Sequence, residues 1–195
     1  MNAPYILQKV KWAEKNGYDA VVIDCFGDPA LEAAREIVSI PVVGANHAAC
    51  FLAAQVAPRF SIINILPETE SLIRMLLAKN GLLHRLASIE TIGVPVLELG
   101  VRAEETVEKI VEACKKAYAQ HRAYAIVFGC TGLSLLARRV CERLENEGIP
   151  IPVIEPLRAA VYTALSWVMM GVTHSKLAYP YPRVKTRITD FKLPF

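Results

Sequence analysis

The feature that most constrains the fold of this chain is an internal repeat in which an apolar run ends at a cysteine. Residues 18–27, YDAVVIDCFG, are echoed by residues 123–132, AYAIVFGCTG. The likeness continues downstream, since the segment 40–44, IPVVG, matches 151–155, IPVIE, and an Ala-rich helical pattern follows both. A duplicated strand-cysteine-helix unit predicts two similar lobes, related by a pseudo-two-fold axis, that present two thiols to the space between them.

The composition permits such a fold and argues against several other classes of protein. The chain has 195 residues, of which 53% are hydrophobic and 21% charged, as in a compact globular protein with a proper core. Its net charge is only +3, and no basic block is interleaved with aromatic residues, so we expect no nucleic-acid partner. The five cysteines are irregularly spaced without a CxxC pair, which fits neither a disulfide framework nor a zinc site.

The sequence also predicts where the protein resides. Residues 1–17 have the pattern of an amphipathic helix rather than that of a secretory leader. The most apolar helical pattern, residues 157–172, is interrupted by Arg158 and is shorter than the roughly 20 residues that span a bilayer. We therefore expect a cytoplasmic protein with reduced thiols and without a membrane partner.

Short runs rich in Val and Ile alternate with helical patterns along the whole chain. The predicted strands cover residues 20–24, 41–44, 60–66, 88–93, 125–129 and 153–155. The predicted helices cover residues 1–17, 29–38, 45–57, 68–80, 103–120, 133–147 and 157–170. This alternation predicts an α/β fold of two pseudo-symmetric parallel-sheet lobes with the active site in the cleft between them.

The lobes are predicted to meet near residues 57–59. The first lobe covers residues 1–58, the second covers 59–156, the helix 157–172 packs back on the first lobe, and 173–195 form an extended C-terminal arm. The first lobe offers two strands where the second offers four. Relative to its own repeat it lacks a strand-helix-strand start of about 30 residues, so we expect a truncated first lobe.

Cys25 and Cys130 each close a predicted strand, at the edge where ligands bind in open parallel sheets. A helix is predicted to follow each cysteine, and the first-turn N–H groups of a helix lower the pKa of a thiol and favour anions. Gly27 and Gly132, two positions on, let the backbone approach a ligand closely. The other three cysteines fall inside helical patterns and are expected to be packing residues.

Two equivalent thiols suit one type of reaction. Inversion of a carbon stereocentre next to a carbonyl requires a base on one face and an acid on the opposite face, and the two exchange roles in the reverse direction. A thiolate and a thiol do this without metal or cofactor, provided that N–H donors hold the charge of the carbanion. A Cys-His hydrolase requires a less symmetric arrangement. A single buried cysteine is often only a small hydrophobe, but the duplication favours two-base proton transfer.

The chain resembles the aspartate/glutamate/hydantoin racemase superfamily, and most closely its hydantoin racemase branch. The segment 25–29, CFGDP, resembles the first cysteine motif of that branch, and 129–133, GCTGL, resembles the second. The segments 40–44, 59–61, 151–156 and 174–176, together with Tyr179-Pro180, also fit. The likeness runs from about residue 5 to residue 185.

The resemblance implies a racemase or epimerase that acts on an amino acid, a hydantoin or a related small acid without a cofactor or metal. Cys25 and Cys130 would be the acid/base pair. The predicted substrate-binding residues are Phe26, Gly27, Asp28, Asn46, Asn64, Thr131 and Gly132. The backbone amides at 26–28 and 131–132 and the Thr131 hydroxyl would hold the carboxylate or ring carbonyl. The resemblance also implies a homo-oligomer.

Several positions differ from the pattern of the branch. Asn46-His47 stands where it often has Gly-Glu, and Asn64-Ile65 where it often has Thr-Thr. Two alternatives therefore stay open: a maleate-isomerase-like enzyme that uses a cysteine adduct, and a truncated, non-catalytic paralogue. An arylmalonate-decarboxylase-like enzyme is disfavoured because decarboxylases of this type typically keep one cysteine. Outside the pair, we expect Asp28 to cap a helix that opens at Pro29 and Glu155 to support the cleft.

Overall fold

A computed structural model describes residues 3–183 of the chain, with seven α-helices and six strands that alternate as predicted. The strands are β1 Val21–Ile23, β2 Val42–Gly44, β3 Phe60–Asn64, β4 Leu86–Thr91, β5 Ile126–Phe128 and β6 Val153–Ile154. The helices are α1 Ala3–Lys15, α2 Leu31–Ile37, α3 Ala45–Val56, α4 Glu70–Lys79, α5 Ala103–His121, α6 Ala137–Asn146 and α7 Pro156–Met170.

The strands form two sheets, and every strand pair in them is parallel. The first sheet contains β1 and β2, and the second has the order β4-β3-β5-β6. In the second sheet β3, β5 and β6 are neighbours in register, with Ile62 opposite Val127 and Val127 opposite Ile154. These buried Val and Ile runs are typical of strands covered on both faces. The parallel α/β fold expected from the sequence is confirmed.

The two repeat units meet through their second helices. Helix α3 packs against α7, and both contribute small residues to one buried cluster that also contains Val43 of β2 and Val127 of β5. Alanines at 48, 49 and 53 of α3 and at 159, 160 and 164 of α7 are part of this cluster. Because Ala side chains allow helices to approach closely, the repeats share one core. The opposite face of the second sheet is covered by α5 and α6.

The chain just after each cysteine is less helical than the sequence predicts. Helix α2 begins at Leu31 instead of residue 29, because Asp28 has φ 45° and Ala30 has φ 58°, so Pro29 lies in a turn. After Cys130 the chain forms a 3₁₀ helix over Thr131–Leu136, and α6 begins only at Ala137. The expectation that each thiol opens an α-helix is therefore wrong.

The segment that follows α7 is fastened to the first sheet. The amide of Val42 donates to Nε2 of His174 at 2.7 Å, and Nζ of Lys176 donates to the carbonyls of Arg35 and Val38 at the end of α2. Lys176 thereby satisfies carbonyls that a helix C-terminus leaves without partners. The expected arm over 173–195 lies partly outside the described residues; its described part, 173–183, packs against α2 and β2.

Candidate active site

Both repeat cysteines line one cavity of about 500 Å³ at the carboxyl ends of β1 and β5. Phe26 and Gly27 line it next to Cys25, and Gly129, Thr131 and Gly132 line it next to Cys130. The rest of the lining comes from Asp24, Ile65, Thr69, Leu72, Ile73 and Val96. Of the nine predicted site residues, six are therefore brought together around one space.

Cys25 is the more accessible of the two thiols. Its residue is exposed, and it lies in the turn between β1 and α2. Two backbone hydrogen bonds define this turn: the amide of Cys25 donates to the carbonyl of Ile23 at 2.9 Å, and the amide of Asp28 donates to the carbonyl of Cys25 at 3.0 Å. The left-handed conformation of Asp28 completes the turn, so the direction of the thiol depends on a backbone conformation that most residues avoid.

Cys130 is half-buried and has a different electrostatic environment. Burial raises the pKa of the Cys130 thiol, the amides of Gly132 and Leu133 lower the pKa in part, and the nearby Cys25 and Asp24 raise it further. The expectation that the turn lowers the pKa of this thiol is therefore wrong, because desolvation of the thiolate outweighs the donors. Burial therefore favours the protonated form of Cys130.

A side chain in place of Gly132 would crowd the second thiol and its neighbours. A Cβ built on Gly132 would lie 3.1 Å from Cδ1 of Leu99 and 3.5 Å from Sγ of Cys130. A side chain at this position would fill space beside the sulfur. Gly132 therefore leaves space beside the sulfur, and its predicted role in binding a ligand stays a prediction.

Asp28 lies outside the cavity lining, and its carboxylate binds the N-terminus of α3. Oδ1 accepts the amide of Asn46 at 3.0 Å, and Oδ2 accepts the amide of His47 at 2.9 Å. Asp28 therefore caps α3 and not the helix predicted at Pro29. Burial raises the pKa of Asp28 to about 6, against the opposing effect of these two amides and of Arg35. The predicted role of its own backbone amide as a substrate ligand is not available in this structure, since that amide bonds to Cys25.

Asn46 and Asn64 are also absent from the cavity lining. The amide of Asn64 is engaged within the second sheet: Nδ2 donates to the carbonyl of Leu66 at 2.6 Å, and Oδ1 accepts from the hydroxyl of Thr69 at 2.8 Å. The side chain of Asn46 is fully buried, and neither its Nδ2 nor its Oδ1 has a hydrogen-bond partner among the described residues. Their predicted roles as binding residues stay predictions.

The apolar wall of the cavity was missed by the sequence reasoning. Leu72 and Ile73 come from α4, Ile65 follows β3, and Val96 belongs to a 3₁₀ turn before α5. None of these residues carries a motif, and ordinary core periodicity accounts for Ile73. Only their assembly in the tertiary structure shows that segments outside both cysteine motifs supply the apolar part of the lining.

The second repeat carries a carboxylate at the start of its own second helix. Glu155 precedes α7, and its Oε1 and Oε2 accept the amides of Leu157 and Arg158, each at 2.7 Å. The hydroxyl of Ser134, in the 3₁₀ helix after Cys130, is hydrogen-bonded to the same carboxylate. The supporting role that the sequence suggests for Glu155 thus takes the form of a helix cap.

Over residues 3–183, no group of three or more His, Cys, Asp or Glu side chains is placed to hold a metal ion. Within the same residues, no helix combines the length and the apolar character that a membrane span requires.

Sequence comparison connects this geometry with known proteins. A family model described as Asp/Glu/Hydantoin racemase matches residues 1–164. A hydantoin racemase of Rhizobium meliloti is 38% identical over 189 residues, which are 95% of this chain and 75% of that protein. A hydantoin racemase of Pseudomonas sp. (strain NS671) is 35% identical over 186 residues, which are 95% of this chain and 73% of that protein.

Structural comparison gives the same result. The allantoin racemase from Klebsiella pneumoniae has a TM-score of 0.88 and 36% sequence identity, with 99% of this chain and 78% of that chain covered. The resemblance stated from the cysteine motifs is confirmed, as is the fold class that it implies.

Proposed function

The chain belongs to the Asp/Glu/hydantoin racemase family, and we propose that it is a cofactor-independent racemase of ring-closed, hydantoin-type substrates that works through Cys25 and Cys130. The observation that carries the proposal is that both repeat cysteines line one cavity. The relatives named above are hydantoin and allantoin racemases. Allantoin itself contains a hydantoin ring, so one substrate class covers both names.

The lining of the cavity favours such a ring over a free amino acid. Asp24 is the single charged side chain in the lining, and it is acidic. An amino-acid carboxylate, or the dianion maleate, would meet this negative charge without a cationic partner in the lining. A hydantoin ring carries no carboxylate, and an apolar substituent at its stereocentre would find an apolar surface at Leu72, Ile73 and Val96.

The proposed reaction moves one proton in and one proton out. In one direction the Cys25 thiolate removes the proton from the ring carbon next to the carbonyl, and the electron pair moves onto that carbonyl oxygen. The thiol of Cys130 then delivers its proton to the opposite face of the same carbon. The reverse direction begins with the other enantiomer and exchanges the roles of acid and base.

The developing oxygen charge requires hydrogen-bond donors near both thiols. Gly27, Thr131 and Gly132 line the cavity and can present backbone N–H groups, and the Thr131 hydroxyl adds a further donor. Burial raises the pKa of Cys130 and so favours its thiol, which is the form that donates a proton. The arrangement supports a direction in which Cys25 starts as base and Cys130 as acid.

Solvent-deuterium exchange and racemisation, followed by NMR and circular dichroism, test the proposal. The panel contains single enantiomers of 5-substituted hydantoins, allantoin, free amino acids and maleate, each measured against the uncatalysed rate in buffer. Cys25→Ser and Cys130→Ser are each expected to lose racemisation by at least about 10³-fold, because a hydroxyl is a far weaker acid and base in this role. Cys141→Ser is the matched control, since this half-buried thiol lies outside the cavity.

Three results would overturn the proposal. Full activity in either of the two serine variants would exclude two-base chemistry. Turnover of free amino acids alone would show that amino acids, and not hydantoin-type rings, are the substrates. Conversion of maleate with a mass increase on either cysteine would indicate the adduct-forming isomerase instead.

The expectations of a cytoplasmic location and a homo-oligomeric state stay predictions. An apolar stripe on the outer side of α7 supports self-association, because Tyr162, Leu165 and Met169 are 63%, 51% and 80% exposed. Multi-angle light scattering of the purified protein tests the oligomeric state.

A further inference from the structure

We propose that Asp28 and Glu155 are positioning residues. Asp28 holds the first cysteine turn, residues 25–28, against α3 and so acts on Cys25. Glu155 holds the second cysteine turn, the 3₁₀ helix after Cys130, against α7 and so acts on Cys130. This inference rests on the proposed function and assigns to each carboxylate the control of proton transfer at one face of the substrate. Neither carboxylate lines the cavity. Each therefore acts through a cysteine turn.

In the first repeat the carboxylate is part of the cysteine turn. Asp28 lies three residues after Cys25, and its amide donates to the Cys25 carbonyl at 3.0 Å. Its two oxygens accept the amides of Asn46 and His47 in the first turn of α3. The residue is 7% exposed, and its left-handed φ of 45° is uncommon outside glycine, although aspartate tolerates it better than most residues. The two charge-assisted hydrogen bonds hold the strained turn against α3.

In the second repeat the carboxylate comes from the helix and reaches back to the turn. Glu155 accepts the amides of Leu157 and Arg158 in the first turn of α7. Its Oε1 also accepts the hydroxyl of Ser134, which lies in the 3₁₀ helix that begins at Thr131, the residue after Cys130. The link from helix to thiol thus passes through one serine.

The two links bind equivalent amides although their carboxylates are not equivalent. The repeat aligns the segment 40–44 with 151–155, so the amides of 46 and 47 correspond to those of 157 and 158. Gly44 stands at the position of Glu155, and Leu133 stands at the position of Asp28. The equivalent helices α3 and α7 therefore each have a carboxylate at the N-terminus. In the first repeat it comes from the turn after the cysteine, and in the second it comes from the residue just before the helix. In both repeats the first-turn amides and the helix dipole favour a carboxylate at this place.

Loss of one carboxylate link should affect proton transfer on only one face of the substrate carbon. A two-base racemase needs both sulfurs on opposite sides of one carbon, and a displacement near 1 Å of one group costs on the order of 100-fold in rate. Weakening the Asp28 link should displace Cys25 and leave Cys130 in place. Weakening the Glu155 link should do the opposite.

Deuterium exchange at the stereocentre without inversion shows which of the two cysteines is displaced. The variants are Asp28→Asn and Glu155→Gln, which keep the shape of the side chain but direct an NH₂ group toward one of the amides. When Cys25 is displaced, Cys130 still removes a proton from its own enantiomer and returns a deuteron to the same face. That enantiomer then exchanges faster than it inverts, and the other enantiomer exchanges slowly.

The expected result is a reversal between the two variants. In Asp28→Asn one enantiomer exchanges on the order of 10- to 100-fold faster than it inverts, and in Glu155→Gln the opposite enantiomer does so. The wild type is expected to show no such difference between enantiomers. If both variants favour the same enantiomer, or lose both activities equally, the carboxylates are structural only and the inference is overturned.

The control is a carboxylate with similar hydrogen bonds at another place. Glu14 on α1 accepts the amide and the hydroxyl of Ser39, both at 2.6 Å, and does not line the cavity. Glu14→Gln weakens a carboxylate contact with two comparable hydrogen bonds, so it measures the effect of general destabilisation. We expect no enantiomer preference in this variant.

A substrate-free measurement separates failure of this inference from failure of the proposed function. Alkylation of each thiol by iodoacetamide is followed by peptide mass spectrometry in the folded variants. Asp28→Asn should change the rate at Cys25 relative to Cys130, and Glu155→Gln should change the same ratio in the opposite direction. An unchanged ratio in both variants would overturn the inference even if no tested compound is racemised. If the ratio of the alkylation rates at Cys25 and Cys130 changes but no compound is racemised, only the proposed function is contradicted.

Discussion

Gly44 lies directly against the carboxylate of Asp28. A Cβ built on the glycine would be 2.4 Å from Cγ of Asp28 and 2.5 and 2.6 Å from its two oxygens. Real Cβ atoms do not approach other atoms this closely, so only a glycine allows the Asp28 carboxylate to reach the first turn of α3. The last residue of β2 is thus part of the arrangement that holds the first cysteine turn.

Gly44→Ala is therefore expected to act through Asp28. The added methyl group displaces the carboxylate from the amides of Asn46 and His47, which should lower kcat/KM on the order of 10-fold or more. The double variant with Asp28→Asn should be no worse than Asp28→Asn alone, because both changes remove the same link. A double-mutant cycle measured by racemisation checks this. Additive losses would show that the glycine matters for another reason.

Gly129→Ala should destabilise the protein by about 1–3 kcal/mol, because a Cβ there overpacks the second sheet. It would lie 2.9 Å from Cγ2 of Ile62, 2.9 Å from the carbonyl oxygen of Ile63 and 3.2 Å from Cα of Asn64. Gly100→Ala is the matched control, since nothing lies within 4 Å of its Cβ. Its change in unfolding free energy should stay within about 0.5 kcal/mol. Urea unfolding measures both, and equal effects would contradict the packing argument.

The cysteines should react with iodoacetamide in the order of their exposure and ionisation. Cys25 is exposed and should react first, and the half-buried Cys130 should follow, because burial raises its pKa. Cys114 should stay unmodified in the folded protein, since burial raises its pKa to about 12. Burial and the charge of Asp28 likewise raise the pKa of Cys50. Peptide mass spectrometry gives the order, and modification of Cys50 before Cys130 would contradict it.

Acid should weaken the attachment of the segment after α7. Burial and the charge of Arg35 lower the pKa of His174 from 6.5 to about 4. Between these values the unfolded chain binds a proton that the native state does not, so stability falls as the pH is lowered through this window. His174→Gln keeps an acceptor for the Val42 amide without titrating.

The stability difference between wild type and His174→Gln isolates this effect. It should shift against the wild type by about 1–3 kcal/mol as the pH falls from about 6.5 to about 4. His47, whose pKa burial also lowers to about 4, and Asp28, whose pKa burial raises to about 6, are common to both proteins and cancel. Chemical denaturation at several pH values checks this; parallel curves would contradict it.

Much of the fold could be predicted because the repeat and the apolar runs are local signals. All six strands fall within the predicted runs or extend them by two residues, as in β4, which begins at Leu86 instead of residue 88. The cysteines were found because duplication marks the same position twice. The delayed start of α2 could not be predicted, because left-handed residues at Asp28 and Ala30 are imposed by the contacts of the Asp28 carboxylate with α3.

The rest of the site depends on contacts between residues far apart in the sequence. Asp28 looks like a local helix cap, but the amides that it binds are 18 and 19 residues further along the chain. The pKa of Cys130 is raised by burial that only the tertiary structure produces. The wall residue Leu72 reaches the cavity from α4, which no cysteine motif touches.

The different origins of the two helix caps constrain how the repeats can change by mutation. The first repeat carries Asp28 with Gly44, and the second carries Leu133 with Glu155. A chain that replaced Gly44 while Asp28 was present would create a clash, and one that lost Asp28 first would leave the amides of α3 without their acceptor. Each single step between the two arrangements passes through a less stable protein. The two halves of the duplication are therefore separated by an epistatic barrier, although both supply a carboxylate to equivalent helix amides.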